Sequence, residues 1–286
     1  MSGVLARLWW WIRVGALRIR GWALRRDEGK AILRLGCEAA QRHDLAAFFR
    51  AVDWAGGVSR SGPQMLAWCS LPYYDGDRKQ EAARLITAAL EMAPNDAVVL
   101  GSYGMYLQNE GRFRESIEYL ERALAARPTH PWTLRTLGDD WRCLGEWEQA
   151  RKYYLDAMRQ KPDEDEAAVV ESGLAHVAAE MGDWSEAAQR WRKAAMRRSW
   201  DEETWYNLGD ALLHIGDYRG AIKALRKNLR LGSEQPAWSY YDLARCYQQL
   251  GDVRRARTYC EKALEYAPND EDAIELKREL ADAPAK

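Results

Sequence analysis

The chain has 286 residues, 47% of them hydrophobic and 30% charged, a balance that builds a core and excludes global disorder. Nine Pro and 21 Gly exclude collagen-like and low-complexity classes. With 42 basic and 43 acidic residues the net charge is −1, so there is no bulk signal for binding a polyanion.

The charge is uneven along the chain. Residues 1–62 hold 11 Lys and Arg against 5 Asp and Glu, whereas residues 63–286 hold 31 against 38. Residues 1–26 alone carry six Arg and no acid. A basic amphipathic helix is predicted over residues 1–28. At about 100° per residue, Leu5, Leu8, Trp9, Ile12, Ala16, Ile19, Trp22 and Ala23 share one sector. Arg7, Arg18 and Arg25 flank it on one side, Arg13 and Arg20 on the other. The longest apolar run is Leu8 to Ile12, far short of the ~20 residues needed to span a bilayer. A secretory signal would need an unbroken apolar core and a small-residue cleavage site, and neither is clear.

Three readings of this arm stay open. An interfacial membrane helix suits the Arg residues and the cluster Trp9, Trp10 and Trp11. A helix that caps the first hairpin, or docks in a larger complex, uses the same features. A mitochondrial transit peptide would also be Arg-rich and acid-free, although Ser2 is the only Ser in the segment. In the first two readings, lipid or partner meets Leu5, Leu8, Trp9, Trp10, Trp11, Ile12, Arg13, Arg18, Arg20 and Trp22.

Beyond the arm a turn signature recurs: Gly, a polar residue, then usually an aromatic. It stands at Gly111-Arg112-Phe113, Gly145-Glu146-Trp147, Gly182-Asp183-Trp184, Gly216-Asp217-Tyr218 and Gly251-Asp252-Val253. The intervals are 34, 37, 34 and 35 residues. Apolar residues fall at helical spacing on both sides, as in Trp205, Leu208 and Leu212 upstream and Ala187, Trp191 and Ala194 downstream. The Gly can take φ > 0 and end one helix, and Asp183, Asp217 or Asp252 can cap the next. Gly104, Gly138, Gly209, Ala150, Ala187, Ala221 and Ala256 are small enough to let paired helices approach closely. Pro94, Pro128, Pro162 and Pro268 mark unit ends.

This pattern resembles the tetratricopeptide repeat (TPR) family, whose unit is 34 residues. Units start at Gly29, Pro63, Ala97, Pro131, Ala168, Glu202 and Ala237, and the resemblance covers residues 63–270 well. The 29 unit is degenerate, with His43 at its turn. The 63 unit has Pro72 inside its first helix, and the 168 unit follows a three-residue insertion in the acidic stretch Asp163 to Glu166. The implied fold is all-α: a right-handed α-solenoid of about six to seven helical hairpins, with the basic amphipathic helix before it and a capping helix after it. The expected divisions are 1–28 for the arm, 29–62 for the degenerate hairpin, 63–268 for the array and 269–286 for the cap and tail. In that cap Ile274, Leu276 and Leu280 are expected to cover the last hairpin.

No catalytic constellation is legible. The four His (His43, His130, His176 and His214) and five Cys (Cys37, Cys69, Cys143, Cys246 and Cys260) lack metal-ligand spacing, and the Cys show no disulfide framework. No phosphate loop or nucleophile elbow is present. The expectation is therefore no enzyme, no cofactor and no metal.

In the TPR family the first helix of each unit lines a concave face. That resemblance places Trp132, Arg135, Asp139, Arg142, His176, Tyr206, Asn207, Asp210, Trp238, Tyr241 and Arg245 along a protein-binding groove. Aromatic, Arg and amide groups together suit an extended or helical peptide. TPR domains that clamp the C-terminal carboxylate of chaperones carry a Lys/Asn pair on the first helix, which no unit here has. Later second helices are basic, with Arg190, Arg192, Lys193, Arg197 and Arg198, then Lys223, Arg226, Lys227 and Arg230. A solvated face is one reading of them, and a patch for an acidic partner or lipid headgroups is the other. No specific nucleic-acid motif accompanies them.

The expected function is a non-catalytic adaptor that binds a protein partner in its groove. It would assemble or retain a complex at a membrane surface, cytoplasmic and peripheral. The alternative is a soluble regulatory subunit whose basic arm docks into a catalytic partner. Homo-oligomerisation, with one copy's arm in another's groove, is a third reading.

Overall fold

The computed structural model describes Pro63, Gln64, Ala67, Ser70 and residues 79–282. The arm at 1–28, the degenerate hairpin at 29–62 and the site of Pro72 lie outside the described residues. Those described form an all-α chain of twelve helices paired in hairpins. They begin with α1 (Lys79–Met92), α2 (Ala97–Asn109), α3 (Phe113–Ala126) and α4 (Pro131–Cys143). Next come α5 (Trp147–Arg159), α6 (Glu164–Glu180), α7 (Trp184–Arg197) and α8 (Glu202–His214). The last are α9 (Tyr218–Leu231), α10 (Pro236–Gln249), α11 (Val253–Tyr266) and α12 (Glu271–Asp282).

The turn glycines do what their spacing implies. Gly111, Gly145, Gly182, Gly216 and Gly251 all take left-handed φ values between 74° and 83°. That conformation lets the next residue's N–H reach back to close the helix. Arg112, Glu146, Asp183, Asp217 and Asp252 donate to the carbonyls of Leu107, Trp141, Ala178, Leu212 and Tyr247, each at 2.8–2.9 Å. The same Asp residues then start the following helix. Their carboxylates accept from the N–H of Glu186, Gly220 and Arg255 at 2.8, 2.9 and 3.0 Å. Arg112 and Glu146 stand at the same place without a side-chain cap.

Close helix approach follows the small residues. A Cβ on Gly104 would lie 2.7 Å from Cγ of Leu120, and one on Gly209 would lie 2.7 Å from Cγ of Leu225. Gly173 is tighter still, 2.5 Å from the ring of Tyr154 on the preceding helix. The acidic insertion is built into a helix. Asp163 accepts from the N–H of Glu166 at 2.9 Å, and α6 runs 17 residues from Glu164. Three carboxylates in its first turn sit where the helix dipole favours negative charge.

Contacts divide the chain into two units, one ending at Asp140 and one beginning at Trp141. In the first, Ala67, Ile86, Ala89 and Val99 form a core flanked by Tyr103 and Tyr106. Trp132 of α4 lies over Gly101 of α2, and the Gln108 amide donates to the buried Asp140 carboxylate at 2.7 Å. In the second, one continuous core runs from Ala175 through Trp191, Leu208, Leu225, Leu243 and Cys260 to Leu280. Buried Asn228 of α9 ties α8 to α10. It donates to the carbonyl of Glu202 at 2.8 Å and accepts from the Ser239 hydroxyl at 2.6 Å. Helix α12 covers the last hairpin with Ala273, Leu276 and Leu280, while the expected Ile274 is only half-buried.

Gly209→Leu should overpack the α8–α9 contact and destabilise the second unit by about 1–3 kcal/mol or more. Thermal unfolding by circular dichroism measures it, and an unchanged midpoint would refute the register.

Candidate peptide-binding groove

Helices α8 and α10 lie side by side in the second unit. Helical spacing presents Tyr206 and Asp210 on α8, and Trp238, Tyr241, Asp242 and Arg245 on α10. The rings of Tyr206 and Trp238 are 6.1 Å apart. Trp238 is 51% exposed, which makes it the most accessible aromatic of the group. The Arg245 guanidinium sits over the Tyr241 ring at 5.7 Å and 3.4 Å from an Asp242 carboxylate oxygen. Asn207 is half-buried on α8.

Asp242 is the centre of this group. It is 4% exposed, and its carboxylate accepts from the Tyr206 hydroxyl. Burial, and next the neighbouring Asp210 charge, push its pKa up to about 6 against the pull of Arg245 and Tyr206. Asp210 is also raised by burial, although His214 and Arg245 pull it down. Burial raises the Tyr206 phenol above its ordinary value, and the two carboxylates add to this. His214 Nδ1 lies 3.3 Å from an Asp210 carboxylate oxygen, and its ring stacks on Trp184 at 3.8 Å. Two carboxylates thus share one permanent cation, with three aromatic rings on the same two helices.

Tyr206, Asp210, Trp238, Tyr241 and Arg245, named from the sequence, come together here. Asp242 was not among them. Its signal was available, since it holds the place in its unit that Asn207 holds in the unit before. His176 stands apart, edge-on to the buried Trp191 ring at 5.1 Å within its own hairpin. Arg142 is half-buried on the part of α4 that belongs to the second unit. Trp132, Arg135 and Asp139 belong to the first. There Arg135 is only 7% exposed and is ion-paired to Asp139 one helical turn on.

The basic second helices are partly engaged. Arg190 pairs with Glu171 and Glu186 at 3.0 and 3.1 Å, and Arg197 pairs with Glu164 at 2.9 Å. Arg226 donates to the hydroxyls of Tyr247 and Tyr259. Among the described residues no His, Cys, Asp or Glu cluster could hold a metal ion. Among them, too, no helix is long and apolar enough to cross a membrane.

A family model for the tetratricopeptide repeat matches residues 95–163 and 200–269. The cellulose synthase operon protein C of Pseudomonas fluorescens (strain SBW25) is 26% identical over 77% of this chain, which spans 21% of that relative. The chain spans 27% and 32% of two further curated relatives. Among solved structures, Pseudomonas aeruginosa PilF superposes with a TM-score of 0.68 at 18% identity, covering 80% of this chain and 99% of that one. YrrB, titled a TPR protein with an unusual peptide-binding site, superposes with a TM-score of 0.60 at 16% identity, covering 68% and 97%. The fold these structures share is typically non-catalytic. Turn glycines in register, paired helices and the family match converge, and the chain belongs to the tetratricopeptide repeat family of protein–protein interaction scaffolds.

Proposed function

We propose that this chain is a non-catalytic adaptor that holds a segment of a partner protein in the groove between α8 and α10, and that residues 1–26 retain the assembly at a membrane surface. The observation that carries the groove reading is the buried Asp242 carboxylate beside the half-exposed Trp238. Folding gains nothing from desolvating that carboxylate, and Trp238 leaves apolar area in water. Both features are explained by a ligand that covers the ring and meets the charge. YrrB is described as using this fold for a peptide, which is in keeping with that reading.

Membrane retention rests on the sequence of residues 1–26, with its Arg, its Trp cluster and its lack of acids. The soluble alternative, a regulatory subunit, uses the same segment to dock on a catalytic partner.

Flotation with neutral and anionic vesicles separates the two. The full chain should float with anionic lipid at low salt, and less at high salt because the attraction is screened. A chain lacking residues 1–26 should stay at the bottom. If neither floats, the membrane reading falls and the segment is a protein-docking element.

Asp242→Asn tests the cost of the carboxylate. The folded-state pKa of about 6 lies above the ordinary carboxylate value. The folded chain therefore binds the proton more tightly than the unfolded one, and stability falls as pH rises from about 4 to about 6. The variant should lack that fall and be more stable at pH 7.5, by about 1–3 kcal/mol. Thermal melts across pH 4–8 check it. A variant as stable as the parent throughout would show that Asp242 carries no such cost.

A further inference from the structure

In the second unit, charge is sorted between the two helices of each hairpin. The first helices α6, α8 and α10 together carry nine Asp and Glu against a single Arg, Arg245. The second helices α7, α9 and α11 carry thirteen Lys and Arg against three Glu. Some of the acids are consumed within hairpins, as Glu171 is by Arg190 and Glu164 by Arg197. Asp210 and Asp242 are not consumed in that way. They stand on the adjacent helices α8 and α10, Arg245 is 3.4 Å from Asp242, and His214 lies 3.3 Å from Asp210. The exposed Glu203 lies on α8 as well, and no Lys or Arg stands on α6 or α8.

The ring frame suits a cation too. The rings of Tyr206 and Trp238 lie 6.1 Å apart, Trp238 stands one helical turn before Asp242, and Arg245 already uses Tyr241 as a cation–π platform. An incoming guanidinium or ammonium would find two carboxylates served by one permanent cation, and an exposed indole on the same helix as Asp242. A carboxylate ligand would have to displace Asp242 from Arg245 and would meet Asp210 at close range.

Resting on the groove reading above, we propose that the partner segment is basic, with one Arg or Lys side chain lodged against Asp210 and Asp242 beside Trp238. The resident Arg245 neutralises one carboxylate and so leaves room for a single further cation. An Arg can donate two parallel hydrogen bonds to a carboxylate and stack on an indole, so Arg is preferred to Lys.

The test uses the full chain and four short fluorescein-labelled peptides on one Gly, Ser and Tyr scaffold, carrying Arg, Lys, Gln or Glu at the centre. Fluorescence anisotropy should show the Arg peptide binding about tenfold more tightly than the Gln and Glu peptides, with Lys between. Asp210→Asn and Asp242→Asn should each weaken the Arg peptide about tenfold with helicity unchanged by circular dichroism. No binding of the Arg peptide at ~1 mM, a preference for Glu, or Asn variants that bind like the parent would each overturn the proposal. Trp238→Ala then separates the two levels. If it weakens all four peptides and the parent binds all four equally, the groove stands and the charge preference falls. If it changes none of them, the groove reading itself falls.

Discussion

Among the described residues the fold depends on one steric fact: a left-handed Gly after each first helix from α2 to α10, and a small residue where that helix meets its partner. A left-handed turn costs an ordinary side chain energy and costs Gly almost none. Five Gly residues accept it, and each allows the next N–H to close the helix behind it. The chain can then double back at once. The helices meet closely because Gly104 and Gly209 leave room for Leu120 and Leu225. Larger residues there would wedge each hairpin apart, and the shared core of the second unit would open along its length.

Stacking then decides where polar groups end up. Asn228 satisfies both halves of its amide by joining the start of α8 to Ser239 of α10. That tie keeps the two first helices in register beside one another. It also brings Tyr206 to Asp242 and Asp210 to Arg245, pairs that no single hairpin contains. This polar cluster is thus a product of the interface between repeats. Its carboxylates are held by partners on their own helix, Arg245 for Asp242 and His214 for Asp210, and feel the neighbouring helix as well.

The sorting of charge in the second unit has a simple thermodynamic cost. Like charges along one face repel, and burial raises the Asp210 and Asp242 carboxylates further above their ordinary range. Mixing the charges would relieve this, as the Arg190 pairs with Glu171 and Glu186 show within the same unit. The proposed groove would keep that cost as binding sites do, where local stability is traded for recognition.

The sequence by itself determined the fold, because its signals are local and recur. Turn Gly, capping Asp, small contact residues and the repeat interval each act within a few residues of one another, so periodicity exposes them. The capping helix was legible too: Leu276 and Leu280 are buried as expected, while Ala273 rather than Ile274 completes the buried face. Only the tertiary structure decided which polar residues meet. Asp242 looks in sequence like one more helical carboxylate; it becomes the centre of the groove because α8 carries Tyr206 and Asp210 up to it. Arg135 reads as a groove cation until the fold buries it against Asp139. His176 reads in sequence as a lining residue, and the fold sets Trp191 of the next helix edge-on to its ring. Helical spacing allows the Arg135–Asp139 pair, but how deeply a residue is buried, and what meets it from another helix, is set by packing that no spacing along one helix encodes.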